Sequence, residues 1–547
     1  MQSFIGNIIN LFDNSIKFGE ISIDNGKIIS ITIKDIEQKG KPYYLPGLVD
    51  SHVHVESSML TPSQFARLSV VHGTVGTVSD PHEIANVLGL DGVKYMIADG
   101  KRVPFKFCFG APSCVPATTF ETAGAIVSPK DIEELLALDE IGYLAEVMNF
   151  PGVLNNDPVM MEKINLAKIF KKPIDGHAPG LRVDDAKRYI DAGIETDHEC
   201  FTMGEAFEKI RLGMKILIRE GSAAKNFDEL ITLAQEFSDV MMFCSDDKHP
   251  DSLVIGHINL LVKRAIAKGI SPLKVLRMAC VNPVLHYRMN IGLLREGDPA
   301  DFIMVDNLQD FTILQTYIDG KKVAENGVSL IPSLSTDIVN NFDCKPIVPK
   351  QIAYKIENYD ANIRVIETID GQLITKEILA KPKLENSFVV ADTRRDILKI
   401  VVVNRYQTAP PAVGFIHAFG LQEGAIASSV AHDSHNIIAV GVDDDSICEA
   451  INLIIREKGG VSAVSETKKG VLPLRVAGLM SNEDGYKVAK DYTDIDRFAK
   501  DVLGCTLGSP FMSLSFMALL VIPSIKLSDL GLFDGNKFSF VGLEVAE

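Results

Sequence analysis

Two histidines one residue apart, His52 and His54, close the short apolar run Leu45-Pro46-Gly47-Leu48-Val49-Asp50-Ser51-His52-Val53-His54-Val55-Glu56. On a strand, side chains repeat with period two, so both imidazoles point to one side. Two imidazoles on one side at the end of a buried strand make half of a metal site. A pair of loop or core histidines is the plain alternative, and later segments weigh against it. Further strand-like runs end at Glu146, His177, His198 and Asp246. Imidazoles and carboxylates suit a divalent first-row metal such as Zn, Mn or Fe. Six ligands are too many for one tetrahedral site, so two ions are expected, with Glu146 in the middle as the bridge. Two metals would share a bound water and lower its pKa toward neutrality, giving a hydroxide nucleophile. Asp246 would lie against that water and carry its proton to a leaving group; capping of the following helix is its other reading.

The elements that must position these residues follow from the pattern between them. After the histidine strand come Val75 to Ser79, Phe105 to Phe109, Tyr143 to Ala145, Pro173 to His177, Ile194 to His198, Lys215 to Ile218 and Val240 to Cys244, separated by helical patterns. Alternation of this kind favours parallel βα units. Eight strand ends, most of them carrying a polar residue, predict a (β/α)8 TIM-like barrel over residues 46–295, whose site lies at the C-terminal ends of its strands. The flanks, 1–45 and 296–335, are β-rich with turns at Asp24-Asn25-Gly26 and Asp319-Gly320. They are expected to pair into one small β-sandwich domain into which the barrel is inserted. Beyond a linker at Asn340 to Lys350 the pattern changes, and 345–547 reads as a separate C-terminal α/β domain. Within it, the turn-rich stretch Gly414 to Gly424 reads as a lid.

Composition narrows the class. The chain has 547 residues, too many for one ordinary core. A net charge of −17 argues against binding a nucleic-acid backbone. The most apolar run, Phe511 to Ile522, is too short to span a bilayer and is expected to be buried. Met1 to Ile9 lacks the charged and apolar regions of a secretory signal. The eight cysteines include no C-x-x-C pair, and a reducing cytoplasm fits them best.

With these residues in view, the string Pro46-Gly47-Leu48-Val49-Asp50-Ser51-His52-Val53-His54 and the ligand order after it resemble the metal-dependent amidohydrolase superfamily. Gly297-Asp298-Pro299-Ala300-Asp301-Phe302 looks like the segment where such chains re-enter their small β domain. Five strings narrow the resemblance to the bacterial adenine deaminases: 52–58, Ser79-Asp80-Pro81-His82-Glu83-Ile84-Ala85-Asn86, Met148-Asn149-Phe150-Pro151-Gly152, Asp175-Gly176-His177-Ala178-Pro179-Gly180 and Ser245-Asp246-Asp247-Lys248-His249-Pro250. The likeness extends into the C-terminal domain through Ala431-His432-Asp433-Ser434-His435-Asn436.

The resemblance implies hydrolytic deamination of adenine to hypoxanthine and ammonia, with attack on C6 by a metal-bound hydroxide at a binuclear Mn or Fe site, Zn being the alternative. Asp246 would move the proton to the departing amine. The purine N1 must also gain a proton; Asp80 and Glu83, with His82 beside them, are the candidates, against the reading of Asp80-Pro81-x-Glu83 as a capping box. His249, His432 and His435 are candidate substrate contacts, although a polar surface loop would explain the last two equally well. The partners implied are adenine and water, and a homodimer or higher homo-oligomer is the expected assembly. Hydantoinases and dihydroorotases typically bridge their metals with a carboxylated lysine, but no Lys lies between Ile141 and Glu162, which weakens a cyclic-amide reading. Two alternatives remain at this stage: an amidohydrolase for another aminopurine or a cyclic amide, and a non-catalytic barrel scaffold.

Overall fold

The computed structural model describes residues 1–545. Eight parallel strands carry the site: β1 (Leu48–Val53), β2 (Thr74–Ser79), β3 (Lys106–Ala111), β4 (Ile141–Val147), β5 (Ile174–Gly176), β6 (Thr196–Asp197), β7 (Lys215–Arg219) and β8 (Met241–Cys244). Strands β1 to β5 pair in sequence order as one sheet, and β6 to β8 as another. Two seams close them into a barrel. At the β5–β6 seam the Glu195 N–H donates to the Ile174 carbonyl at 2.9 Å; at the β8–β1 seam the Asp246 N–H donates to His52 at 2.9 Å and the His54 N–H to Asp246 at 3.3 Å. Buried on both faces, such strands read as continuous apolar runs, and Val49, Val75, Ile141, Ile216 and Phe243 are all fully buried. Just before β1, Gly47 permits a close approach: a Cβ there would lie 2.3 Å from a methyl of Val75.

The small β domain is one eight-stranded sheet to which both flanks contribute. Three N-terminal strands, Gln2–Asn10, Ser15–Asp24 and Lys27–Ile36, join four later ones through Tyr43–Pro46. Tyr43–Pro46 is the hinge of this arrangement, pairing parallel to Gln2–Asn10 and antiparallel to Phe302–Val305.

The C-terminal part is built on a nine-stranded sheet. Its middle strand Ile397–Val403 is buried and pairs antiparallel with both Ala412–His417 and Ile437–Gly441. The helix Asp444–Glu457, capped by Asp443 accepting from the Ser446 N–H, lays Ile447, Ile451 and Ile454 on one face. The face of the sheet away from this helix, with Leu398, Ile400, Val402 and Ile438, joins the apolar core that runs through the barrel. The stretch Gly414 to Gly424, expected to be turn-rich throughout, is so only in its second half: Gly414, Phe415 and Ile416 are paired against Ile400, Lys399 and Leu398 within the strand Ala412–His417, and 418–424 form the loop that follows. The run from Phe511 forms the buried helix Pro510–Phe516. Among the described residues no helix is long and apolar enough to cross a membrane.

Candidate metal centre

His52 and His54 leave the end of β1 with their rings edge to face, centroids 4.8 Å apart and Nε2 atoms 3.2 Å apart. Asp246 follows β8 in the left-handed region, φ 53°, a conformation that Asp tolerates better than most residues. That turn places its carboxylate opposite the two imidazoles, with Oδ1 3.6 Å from His52 Nε2 and 3.2 Å from His54 Nε2. Glu146, at the end of β4, has an oxygen for each side. Its Oε1 lies 3.3 Å from His54 Nε2 and 3.9 Å from His52 Nε2; its Oε2 lies 2.7 Å from His177 Nδ1 and 3.5 Å from His198 Nε2. His198 stacks on His52 at 4.2 Å. All six side chains are buried. The six residues predicted from strand ends are therefore brought together.

Two residues that the sequence reading passed over complete the cluster's charge balance. Glu199 lies 3.3 Å from His198 Nε2 and 3.7 Å from His177 Nδ1. Arg219, at the end of β7, pairs with Glu199 and donates to Asp246 Oδ2 at 2.8 Å. Burial alone would raise the pKa of Asp246, but Arg219 and the imidazoles of His52 and His54 hold it well below the ordinary carboxylate value. Glu146 is likewise held down against burial, by His177, His54 and His198. The signal for Arg219 was available: a basic side chain ends a strand whose neighbours end in acids.

A second constellation spans the barrel and the C-terminal domain. Glu83, in the first turn of the helix His82–Leu88, is held between His432, which meets its Oε1, and His435, which meets its Oε2. His82 Nε2 stands 3.6 Å from Glu83 and its Nδ1 stands 3.6 Å from Glu146, so this ring links the two constellations. Burial would raise the Glu83 pKa, yet His432, His435 and His82 hold it well below the usual range. His432 is pulled down by burial but lifted to about 9 by Glu83 and Asp247.

One candidate stands beside the cluster and one goes elsewhere. Asp80 Oδ1 accepts from the His82 N–H at 3.1 Å and Oδ2 lies 3.0 Å from His82 Nδ1, which orients that ring; with His54, His82 and Glu146 it also presents a ligand atom close enough to share a cation. The bond from the His82 N–H satisfies the first N–H of the helix, so Asp80 also plays the capping part, while the Ile84 N–H in the same turn is taken by Glu56 and not by Glu83. His249 turns to the C-terminal domain, its Nδ1 2.6 Å from the Tyr492 hydroxyl, and is absent from the cavity wall. Its position after Asp246-Asp247-Lys248 suggested the pocket; the helix Pro250–Ile255 that starts beyond it carries it outward.

A cleft opens over these groups. Met148, Leu373, Phe516 and Leu519 supply its apolar wall, and the Phe516 ring stacks on His432 at 5.1 Å. The donor set fits divalent metals. Donors about 2.1 Å from one tetrahedral ion lie roughly 3.4 Å from each other, and the separations among His52, His54 and Asp246 run from 3.2 to 3.6 Å. His177 Nε2 is buried without a hydrogen-bond partner, a ring nitrogen free to ligate. The two oxygens of Glu146, facing separate imidazole pairs, have the arrangement of a bridging carboxylate.

The amidohydrolase family model matches residues 43–323, and the adenine deaminase C-terminal domain matches 372–539. An adenine deaminase of Salinibacter ruber is 52% identical over 540 residues, covering 98% of both chains. One of Sulfurovum sp. is 54% identical over 535 residues, again at 98% coverage of both, and one of Borreliella burgdorferi is 49% identical over 543 residues. Identity at this level along the whole length, C-terminal domain included, means that the chain belongs to the adenine deaminase family of amidohydrolases.

Proposed function

We propose that the chain hydrolyses adenine to hypoxanthine and ammonia, with two divalent metal ions held by His52, His54, Glu146, His177, His198 and Asp246. The observation that supports the reading is Glu146, a buried side chain whose two oxygens face separate histidine pairs at the base of a cleft to whose wall the C-terminal domain contributes. Bound there, such metals supply a water acidic enough to act as a nucleophile near neutral pH. Imidazole and carboxylate ligands accept Mn, Fe or Zn; we take Mn or Fe first.

The chain's own residues handle the protons. Of the attacking water's two protons, one passes through Asp246, kept ionised by Arg219, to the departing amine at C6, and the other replaces the proton that the Glu83–His432 pair gives to N1. A carboxylate of low pKa holds its proton weakly, which favours the transfer on to the amine. The purine N1 receives its proton from the Glu83–His432 pair, which carries one shared proton near neutrality. His82, oriented by Asp80, lies between this pair and Glu146. The apolar wall of Met148, Leu373, Phe516 and Leu519 suits a planar heterocycle and keeps bulk water from the reacting carbon.

The test is ultraviolet monitoring of adenine with protein reconstituted in Mn or Fe, beside a chelated control and parallel reactions with guanine and cytosine. Metal-dependent loss of adenine with one ammonia per turnover is expected. Ammonia from guanine or cytosine in its place would replace the substrate, and activity unchanged by chelation would remove the metals.

A further inference from the structure

We propose that Asp433 is a specificity residue that accepts the ring N–H of a free purine base, so that the cavity takes the base and turns away its N9-substituted nucleosides. The proposal builds on the deamination reading and adds to it a residue from the C-terminal domain.

Asp433 lines the cavity and is 3% exposed. Its Oδ1 faces His82 Nε2 at 3.7 Å and His432 Nδ1 at 4.0 Å. Its Oδ2 is buried and has no hydrogen-bond partner. A buried carboxylate oxygen without a donor is costly, and a ligand that brings a donor recovers that cost on binding. The chemistry of the ligand then follows from what it can offer. In adenine the amino group is the reacting group, and N1, N3 and either N7 or N9 present lone pairs. One donor remains, the N–H of the five-membered ring. A carboxylate can only accept, so that N–H is the complement available to it. In a nucleoside the glycosidic bond replaces this N–H, which removes the donor and leaves Oδ2 unpaired behind a sugar. The loss is the kind that separates substrates strongly, because a buried polar group of the site is stranded by the wrong one.

His82, Glu83 and Asp433 also present ligand atoms close enough to hold a cation, and this competing role gives a different outcome. The isosteric variant D433N keeps the volume and removes the charge. Purine and 9-methylpurine are used as competitive inhibitors of the metal-replete full-length enzyme, with metal content measured on the same samples. For the parent protein, purine binds more tightly than 9-methylpurine. In D433N the Ki of purine rises about tenfold, the step from a charged to a neutral acceptor, while that of 9-methylpurine moves less than about twofold. Equal shifts for both inhibitors, no shift for either, or a loss of metal from D433N overturns the proposal. D433A serves the same comparison if D433N does not fold. If the parent protein releases no ammonia from adenine, the deamination reading fails by itself; calorimetric binding of the two purines then still decides the role of Asp433.

Discussion

Asp246 joins three roles in one side chain: its Oδ1 faces the His52–His54 pair, its Oδ2 takes the Arg219 guanidinium, and its backbone closes the barrel. Changing it to Asn keeps the shape and one ligating oxygen but removes the proton acceptor. D246N is expected to retain its metal and lose about 10²- to 10⁴-fold in kcat; near-parental turnover with full metal occupancy refutes the assignment. His432 makes a prediction about pH. Its pKa is lifted on folding from 6.5 to about 9, so the protonated ring stabilises the folded state. That contribution is complete below about pH 6.5 and is lost as pH rises through about 9. The melting-temperature gap between the metal-free parent and H432Q is therefore expected to be widest near pH 6 and to close toward pH 10; a gap independent of pH removes the Glu83–His432 ion pair. At this scale the sequence was informative where a residue type ends a strand, as for His52, His54, Glu146, His177, His198 and Asp246. It was silent where partners come from distant chain. Nothing in Ala431 to Asn436 says that His432 and His435 flank Glu83, because that contact closes across some 350 positions.

Strand ends are held in register by polar pairs beneath the site. Asp50 on β1 accepts from the Ser245 N–H at 2.9 Å just after β8, and its Oδ2 lies 2.8 Å from His257 Nε2. The other nitrogen of His257 lies 2.8 Å from the Thr74 hydroxyl at the start of β2. His257 thus ties β1 to β2 just behind the ligands, while Asp50 itself makes the link to the end of β8. H257A leaves the buried Asp50 Oδ2 with the Ser245 hydroxyl as its one donor and the Thr74 hydroxyl without its imidazole, and is expected to cost about 1–3 kcal/mol, read as a lower urea midpoint at unchanged m-value. A change under about 0.5 kcal/mol would mean that the seam holds without it. The barrel strands were legible because parallel strands buried on both faces are short apolar runs with abrupt polar ends. Their order came with them, since consecutive βα units pair as neighbours. The C-terminal sheet was not legible in the same way. Its ladder joins Asn362–Thr368 to Ala412–His417 in parallel but surrounds that pair with antiparallel strands, and no local period encodes this order. Gly414 misled for a related reason: a glycine between apolar residues marks a turn in a lone segment, yet in the sheet it faces Ile400 and makes room for Leu527.

At the level of the whole molecule, the barrel and the C-terminal domain share one apolar core, which includes Leu60, Phe65 and Leu68 on one side and Leu479, Met480 and Phe511 on the other. Polar contacts cross the same boundary: the Ser481 N–H donates to Met59 at 2.8 Å, Arg67 meets Asp484 at 2.6 Å, and Tyr492 meets His249. Sharing a core makes unfolding of either part expose the other, so the two are expected to melt together. Metal binding provides the means to test this. A ligand that binds only the folded state raises stability by RT ln(1 + [L]/Kd), and every proposed metal ligand is in the barrel. If the domains are one cooperative unit, adding Mn to the metal-free protein protects amides of the C-terminal strand Ile437–Gly441 from hydrogen exchange by the same free energy as amides of β4. If they are separable, protection rises in β4 alone and the C-terminal strand keeps its metal-free rate. The first outcome is expected, because the cavity wall itself is shared: Phe516 and His432 come from one domain, Glu83 and Met148 from the other. The C-terminal domain then acts on the chemistry through the stability of the closed site as well as through the residues it contributes.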